Sequence, residues 1–193
     1  MSTRPDSKEA KKRQEEYLKK CPHAFGGTLL KTRAGRAKPR PLATSGSGTI
    51  HLVLRSSRAK GPWSFRASRN EEKIKAITAR FVKKYAVTLH SMANVRNHLH
   101  LHIGLAHKAS YKPFIRALTS SIAMAITGAS RWNPLQGGKF WDYRPFSRLV
   151  YGVKAFLRVN DYVDVNELEG MGYFRGEARE IIAWRTYRRA KPG

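Results

Sequence analysis

From residue 48 onward the apolar positions recur every second residue in some stretches and every third or fourth in others. "TIHLVLRS" places Ile50, Leu52 and Leu54 on one side and His51, Val53 and Arg55 on the other, which predicts a half-buried strand. "RNEEKIKAITARFVKKYA" spaces Ile74, Ile77, Phe81 and Val82 as one helical stripe, with Asn70 as its N-cap. "AVTLHSMA" and "NHLHLHIGL" alternate again, across a short polar interruption holding Asn94 and Asn97, and predict an antiparallel pair. A second helix follows in "SYKPFIRALTSSIAMAITG": Ser110 caps it, Phe114, Ile115, Leu118, Ile122 and Ile126 form its stripe, and Gly128 stops it. "KFWDYRPFSRLVYG" is aromatic and β-branched and predicts a fourth strand, placed at an edge or broken by a bulge because of Pro145. "VKAFLRVNDYVDVNELEG" predicts a third helix with Val153, Phe156, Leu157, Asn160 and Val163 on its stripe and Gly170 at its end.

The order β, α, β, β, α, β, α predicts an α+β fold, a ferredoxin-like split βαβ sandwich with an antiparallel sheet. "YFRGEAREIIAWRTYRRAKPG" adds a basic C-terminal helix and tail over 171–193. Residues 1–47 read differently: alternating charges with a solvated helix at "KEAKKRQEEYLKK", then Gly, Pro and Arg as in a linker. A basic arm (1–47), a folded unit (48–170) and a basic tail (171–193) are therefore expected. At 193 residues and 41% apolar the chain can build one core.

Charge changes the picture most. Lys and Arg outnumber Asp and Glu by 38 to 13, a formal +25, which calls for a polyanionic partner, with nucleic acid first. No stretch approaches the run of about 18 apolar residues that spans a bilayer, and no secretory signal is evident. A cytoplasmic protein, nucleoid-associated when bound to DNA, is expected. Cys21 is the only cysteine, which excludes an intrachain disulfide and a cysteine zinc cluster.

Candidate chemistry sits in two places. In "RNHLHLHIGL" His98, His100 and His102 share one strand face, neighbours lying about 7 Å apart. They can be a solvated polar face, the triad of a histidine-triad nucleotide hydrolase, or a metal-binding row, whose mutual repulsion favours neutral rings. In "NDYVDVNEL" Tyr162 and Asn166 stand one helical turn apart on one face. Two imidazoles, an amide oxygen and waters suit Mg²⁺ or Mn²⁺, and a tyrosine beside that ion is placed to attack a phosphodiester.

With these motifs the chain resembles the single-tyrosine HUH endonucleases, most closely the REP-associated tyrosine transposases and small single-strand insertion-sequence transposases. Asn97, His98, Leu99, His100 and Leu101 match the family's metal strand, and Tyr162, Val163 and Asn166 match its tyrosine helix. "IHLVLRS" and "FWDYRPFSRLV" are similar to its first and fourth strands. Arg96 and Glu167 stand where the family often has Pro. The resemblance implies that His98, His100 and Asn166 hold Mg²⁺ or Mn²⁺ and that Tyr162 attacks the scissile phosphate, giving a 5′-phosphotyrosine and a free 3′-hydroxyl able to support strand transfer. It also implies single-stranded, hairpin-containing DNA as partner, and a monomer or homodimer. His102 receives no role from it, nor do His51 and His90.

Among basic and aromatic residues, Arg55, Lys154, Arg158 and Trp63 are the DNA-contact candidates, and Trp132 is a further candidate for base stacking. A histidine-triad hydrolase would explain neither the charge nor the Tyr162 and Asn166 pair. A non-enzymatic nucleic-acid binder on the same fold would use the charge and aromatics alone.

Overall fold

The computed structural model of the protein describes residues 24–25 and 48–190; the helix expected near the N-terminus lies outside them. Five strands, β1 (Ala24–Phe25), β2 (Thr49–Arg55), β3 (Val87–Val95), β4 (His98–Leu105) and β5 (Phe146–Val150), alternate with helices α1 (Ser68–Lys84), α2 (Tyr111–Thr127), α3 (Val153–Met171) and α4 (Arg175–Ala190). The sheet order is β1-β5-β2-β4-β3, antiparallel throughout. From β2 onward this is the expected split βαβ arrangement of an α+β fold, with β2 and β4 in the middle.

Alternation along β2 and β4 sorts their side chains between two buried faces. Ile50, Leu52, Leu54, Leu99, Leu101 and Ile103 meet Ile74 and Phe81 of α1 and Phe114, Leu118 and Ile122 of α2 in the main core. Burying each such side chain contributes about 1.5–3 kcal/mol. On the opposite face Val159 and Val163 of α3 pack with Ala93 and Val150. A further layer forms where Val165 and Leu168 of α3 meet Ala178 and Ile182 of α4. The strands expected to be half-buried are therefore covered on both sides, and the histidine face of β4 looks at a helix instead of water.

Several local expectations are corrected. α1 starts two residues before Asn70, with Ala67 at its N-cap; the buried Asn70 amide donates instead to the Pro62 and Ser64 carbonyls, 2.8 Å each, satisfying the preceding turn. Ser110 precedes α2 but makes no side-chain cap bond, since a short 3₁₀ turn leads into the helix. Gly128 does stop α2, in the left-handed region at φ 71°. The fourth expected strand is confined to Phe146–Val150, and it lies inside β1. Pro145 lacks an N–H for pairing, and the aromatic run before it packs as a loop: Phe140 enters the core, Trp141 Nε1 donates to the Thr119 carbonyl at 2.9 Å, and Asp142 accepts from the Ser57 N–H and hydroxyl.

α3 departs from its single-stripe reading because it is wedged between the sheet and α4. Val153 and Leu157 are exposed, while Val165, Asn166, Leu168 and Gly170 are buried. Gly170 does not end the helix; a Cβ there would collide with the Asn94 carbonyl oxygen. The helix closes at Gly172 (φ 110°), whose N–H bonds the Glu169 carbonyl while the Tyr173 N–H bonds that of Leu168, a Schellman arrangement.

Candidate functional site

The register of the central strands decides which side chains meet. His51 stands directly across from His102, Val53 from His100 and Arg55 from His98. On the other flank, Ala93 stands opposite His100 and Ser91 opposite His102. The small Ala93 leaves room for α3 to come down on the histidine row, so that the Tyr162 ring lies 5.6 Å, centroid to centroid, from both His51 and His100. His98 and His100 are 4.9 Å apart with rings steeply inclined.

The three histidines of β4 are not equivalent. His102 is fully buried. Its Nδ1 lies 2.6 Å from the Asn160 amide oxygen, which can only accept, and its Nε2 lies 2.6 Å from the Thr49 hydroxyl. The ring therefore donates through Nδ1 and accepts from Thr49, and Ser91 completes the cluster by donating to the same Asn160 oxygen at 3.0 Å. His100 has Nδ1 3.1 Å from His51 Nε2, while its own Nε2 is buried with no hydrogen-bond partner. His98 Nδ1 is 2.8 Å from the Asn97 amide oxygen, so its Nε2 is the nitrogen not used in that bond. The reading as a solvated face is thereby corrected, and both nitrogens of His102 are committed inside the fold.

Burial holds this row neutral. It pushes His51 down to about 4, helped by Arg148 and His102, and His100 down to about 3, helped by His51 and His98. Burial, then Arg55, lowers His98; burial also lowers His102, against the bond to Asn160. These imidazoles ionise near 6.5 in an unfolded chain. Between that pH and the folded values the unfolded chain binds more protons, so stability is full above pH 6.5 and drains away as pH falls. The melting temperature should drop by about 5 °C or more between pH 7.5 and 5.0, 1 kcal/mol being worth about 2–4 °C at this chain length. A flat or rising Tm over that window would refute the buried neutral row.

α3 supplies the other half. Tyr162 is 41% exposed, and its hydroxyl-bearing ring lines a groove of about 520 Å³ between α3 and α4, together with Arg158, Asp161, Arg175 and Arg179. Asn166, one turn on and buried, donates Nδ2 to the Tyr162 carbonyl at 2.6 Å, which leaves its amide oxygen as the group it can offer. Glu167 accepts from the Asn94 N–H at 2.6 Å and from Arg66 at 2.9 Å. A proline at this position could make neither contact.

The remaining sequence candidates scatter. Arg55 lies beside His98 in register and 3.7 Å from Asp142. Lys154 lines a shallow cavity of about 380 Å³ at the start of α3 with Arg148, Tyr151 and Arg158. Trp63 is half-buried at the margin of the main core, beneath the Arg58 guanidinium, and Trp132 is 86% exposed. His51, Asn160, Arg175 and Arg179 join the site without having been singled out. Arg175 and Arg179, one helical turn apart on a basic amphipathic stretch, and His51, in a strand similar to the family's first, each carried a sequence signal.

Among the described residues no group of three His, Cys, Asp or Glu side chains is arranged to hold a metal ion. The donors available to a divalent ion are mixed: the Nε2 atom of His98, the buried and unpartnered Nε2 atom of His100, and the Asn166 amide oxygen. An unpartnered buried imidazole nitrogen is what such a site provides.

No helix among the described residues is long and apolar enough to cross a membrane. No curated protein sequence matches the chain. Among solved structures, a REP-associated tyrosine transposase bound to a REP hairpin superposes with a TM-score of 0.52 and 14% identity, over 72% of this chain and 76% of that one. A candidate transposase from Deinococcus radiodurans R1 gives a TM-score of 0.42 and 14% identity, over 67% and 97%. The first likeness shows a common fold, that of the HUH endonucleases. The sequence profile of the family described as "Transposase IS200 like" matches residues 45–166, a span that opens before β2 and closes on Asn166. On that match, well over half its length, the chain belongs to the IS200-like transposase family.

Proposed function

We propose that this transposase is a metal-dependent single-stranded DNA endonuclease and strand transferase with Tyr162 as its nucleophile. The observation that carries the reading is the Tyr162 ring packed at 5.6 Å against His100, whose Nε2 is buried and unpartnered. Mg²⁺ or Mn²⁺ would be held by His98, His100 and Asn166, and when bound supplies charge neutralisation at the scissile phosphate. The Tyr162 oxygen forms the new bond to phosphorus as the bond to the 3′-oxygen breaks. The phenolic proton leaves to solvent and the departing oxygen takes one up, giving a 5′-phosphotyrosine and a free 3′-hydroxyl. Because the phosphodiester energy is retained, a second 3′-hydroxyl can reverse the step, which is strand transfer.

Arg158 and Arg179 in the groove beside Tyr162 are assigned to backbone phosphates, and Arg55 and Lys154 to DNA contacts outside that groove. Hairpin-containing single-stranded DNA is the proposed partner, by analogy with the hairpin bound by the structural neighbour. A monomer or a homodimer is the proposed working form; Tyr162 meets His51 and His100 within its own chain, and a homodimer would carry two such sites.

The test is to mix the full chain with single-stranded oligonucleotides carrying a hairpin, in Mn²⁺ or Mg²⁺. An SDS-stable protein–DNA adduct and a released fragment that a polymerase can extend are expected, both lost in EDTA. Adduct formation undiminished by EDTA, or release of free 5′-phosphate ends alone, would sink the proposal. Replacing Arg158 and Arg179 together by Gln should flatten the log–log salt dependence of binding by about 1.4, two single-strand phosphate contacts at about 0.7 each. An unchanged slope would remove both from the phosphate path.

A further inference from the structure

We propose that His51 is a positioning residue for the metal pair, accepting a hydrogen bond at Nε2 from His100 Nδ1 and so holding His100 in the tautomer whose Nε2 lone pair is free for a divalent ion. The inference rests on the metal reading above. His51 Nε2 and His100 Nδ1 are 3.1 Å apart, and the two rings are inclined by only 11° with centroids 5.4 Å apart. That centroid separation is the nitrogen–nitrogen distance plus about one ring radius on each side. The rings therefore meet edge to edge in one plane, with the hydrogen bond along the lone-pair direction, the favoured geometry for an sp² acceptor.

A neutral imidazole carries one N–H, so the bond can run in two directions. If His51 donated, His100 would accept at Nδ1 and carry its proton on Nε2, burying an N–H donor that has no acceptor. If His100 donates, Nε2 keeps a lone pair, which is the form a metal takes. Neighbours hold His51 still for this: Tyr162 at 5.6 Å and Phe146 at 6.4 Å both meet its ring edge-on. His98 has the matching support, its Nδ1 facing the Asn97 amide oxygen at 2.8 Å. Each proposed ligand ring thus has a separate acceptor fixing its proton on the far nitrogen. His51 is not itself a ligand through Nε2, because that lone pair is engaged.

Two readouts test this, the first without metal or DNA. In the metal-free full chain, long-range ¹H–¹⁵N correlation of the His100 ring should show a protonated Nδ1 and an unprotonated Nε2. His51→Leu should convert the ring to mixed or Nε2–H tautomers, and His51→Gln, which keeps an acceptor near the same point, should restore the native pattern. Titration with Mn²⁺ alone by calorimetry should give affinity about 10–100-fold weaker in His51→Leu and within about threefold of native in His51→Gln. A native His100 with a protonated Nε2, or a folded His51→Leu chain with native Mn²⁺ affinity, would overturn the proposal. If the native chain shows the expected tautomer but takes up no Mn²⁺, the metal reading fails while the tautomer assignment stands.

Discussion

Tyr162→Phe is expected to abolish covalent capture of DNA, by at least about a thousandfold, while leaving DNA binding and folding close to native. Phe keeps the ring that meets His51 and His100 and removes only the oxygen that would bond to phosphorus. The side chain is 41% exposed, so the stability change should stay within about 0.5 kcal/mol. The measurement is adduct yield on a hairpin oligonucleotide at saturating protein, beside a binding isotherm for the same DNA. Adduct at native yield in the variant would remove Tyr162 as nucleophile. Equal loss of binding and adduct would make the residue a DNA contact only.

The second large effect separates histidines that look alike in the primary structure. His98→Ala and His100→Ala should each lower cleavage at least about 100-fold, the upper end of what is lost when only a ligand's supporting group is removed, and should weaken Mn²⁺ binding in parallel. His102→Leu should behave differently. It leaves the Thr49 hydroxyl without its buried partner and the Asn160 oxygen with Ser91 alone, at about 1–3 kcal/mol for a group left unsatisfied, so its melting temperature falls. Its Mn²⁺ affinity should stay within a few-fold of native. Mn²⁺ titration and thermal melts on the three variants decide it: loss of Mn²⁺ binding only in His102→Leu would reverse the assignment.

The order of elements and the shared face of His98, His100 and His102 were legible because a period of two and a period of 3.6 are local properties of the chain. Tyr162 and Asn166 were legible together for the same reason, being one helical turn apart. Whatever depends on how strands align was not. Nothing in "TIHLVLRS" says that His51 reaches His100 diagonally, since that follows from Val53 standing across from His100. Nor does alternation say that a helix covers the second face, which is what converts three similar imidazoles into one committed ring and one with a bare nitrogen. Nor does the sequence show that Asn70 serves the preceding turn instead of capping α1, because its partners, the Pro62 and Ser64 carbonyls, belong to a turn whose path depends on the rest of the fold. Glu167 departs from the family pattern, and the use of that departure, a carboxylate bridging Arg66 and the Asn94 N–H, depends on how α3 lies against β3.

α3 is pinned to the sheet on both sides of Tyr162. Before it, Asn160 is tied to His102 and Ser91; after it, Glu167 is tied to β3, and Gly170 sits against the Asn94 carbonyl too closely for any side chain. A rod clamped at two points flanking its working residue has little freedom to slide or roll between them. Under the proposed chemistry the tyrosine is then a fixed post, and an exchange of one DNA end for another has to be made by the nucleic acid travelling past it. The pace of such an exchange would be set by how quickly a strand lets go of the arginine-lined groove, and ionic strength, more than protein motion, would act as its throttle.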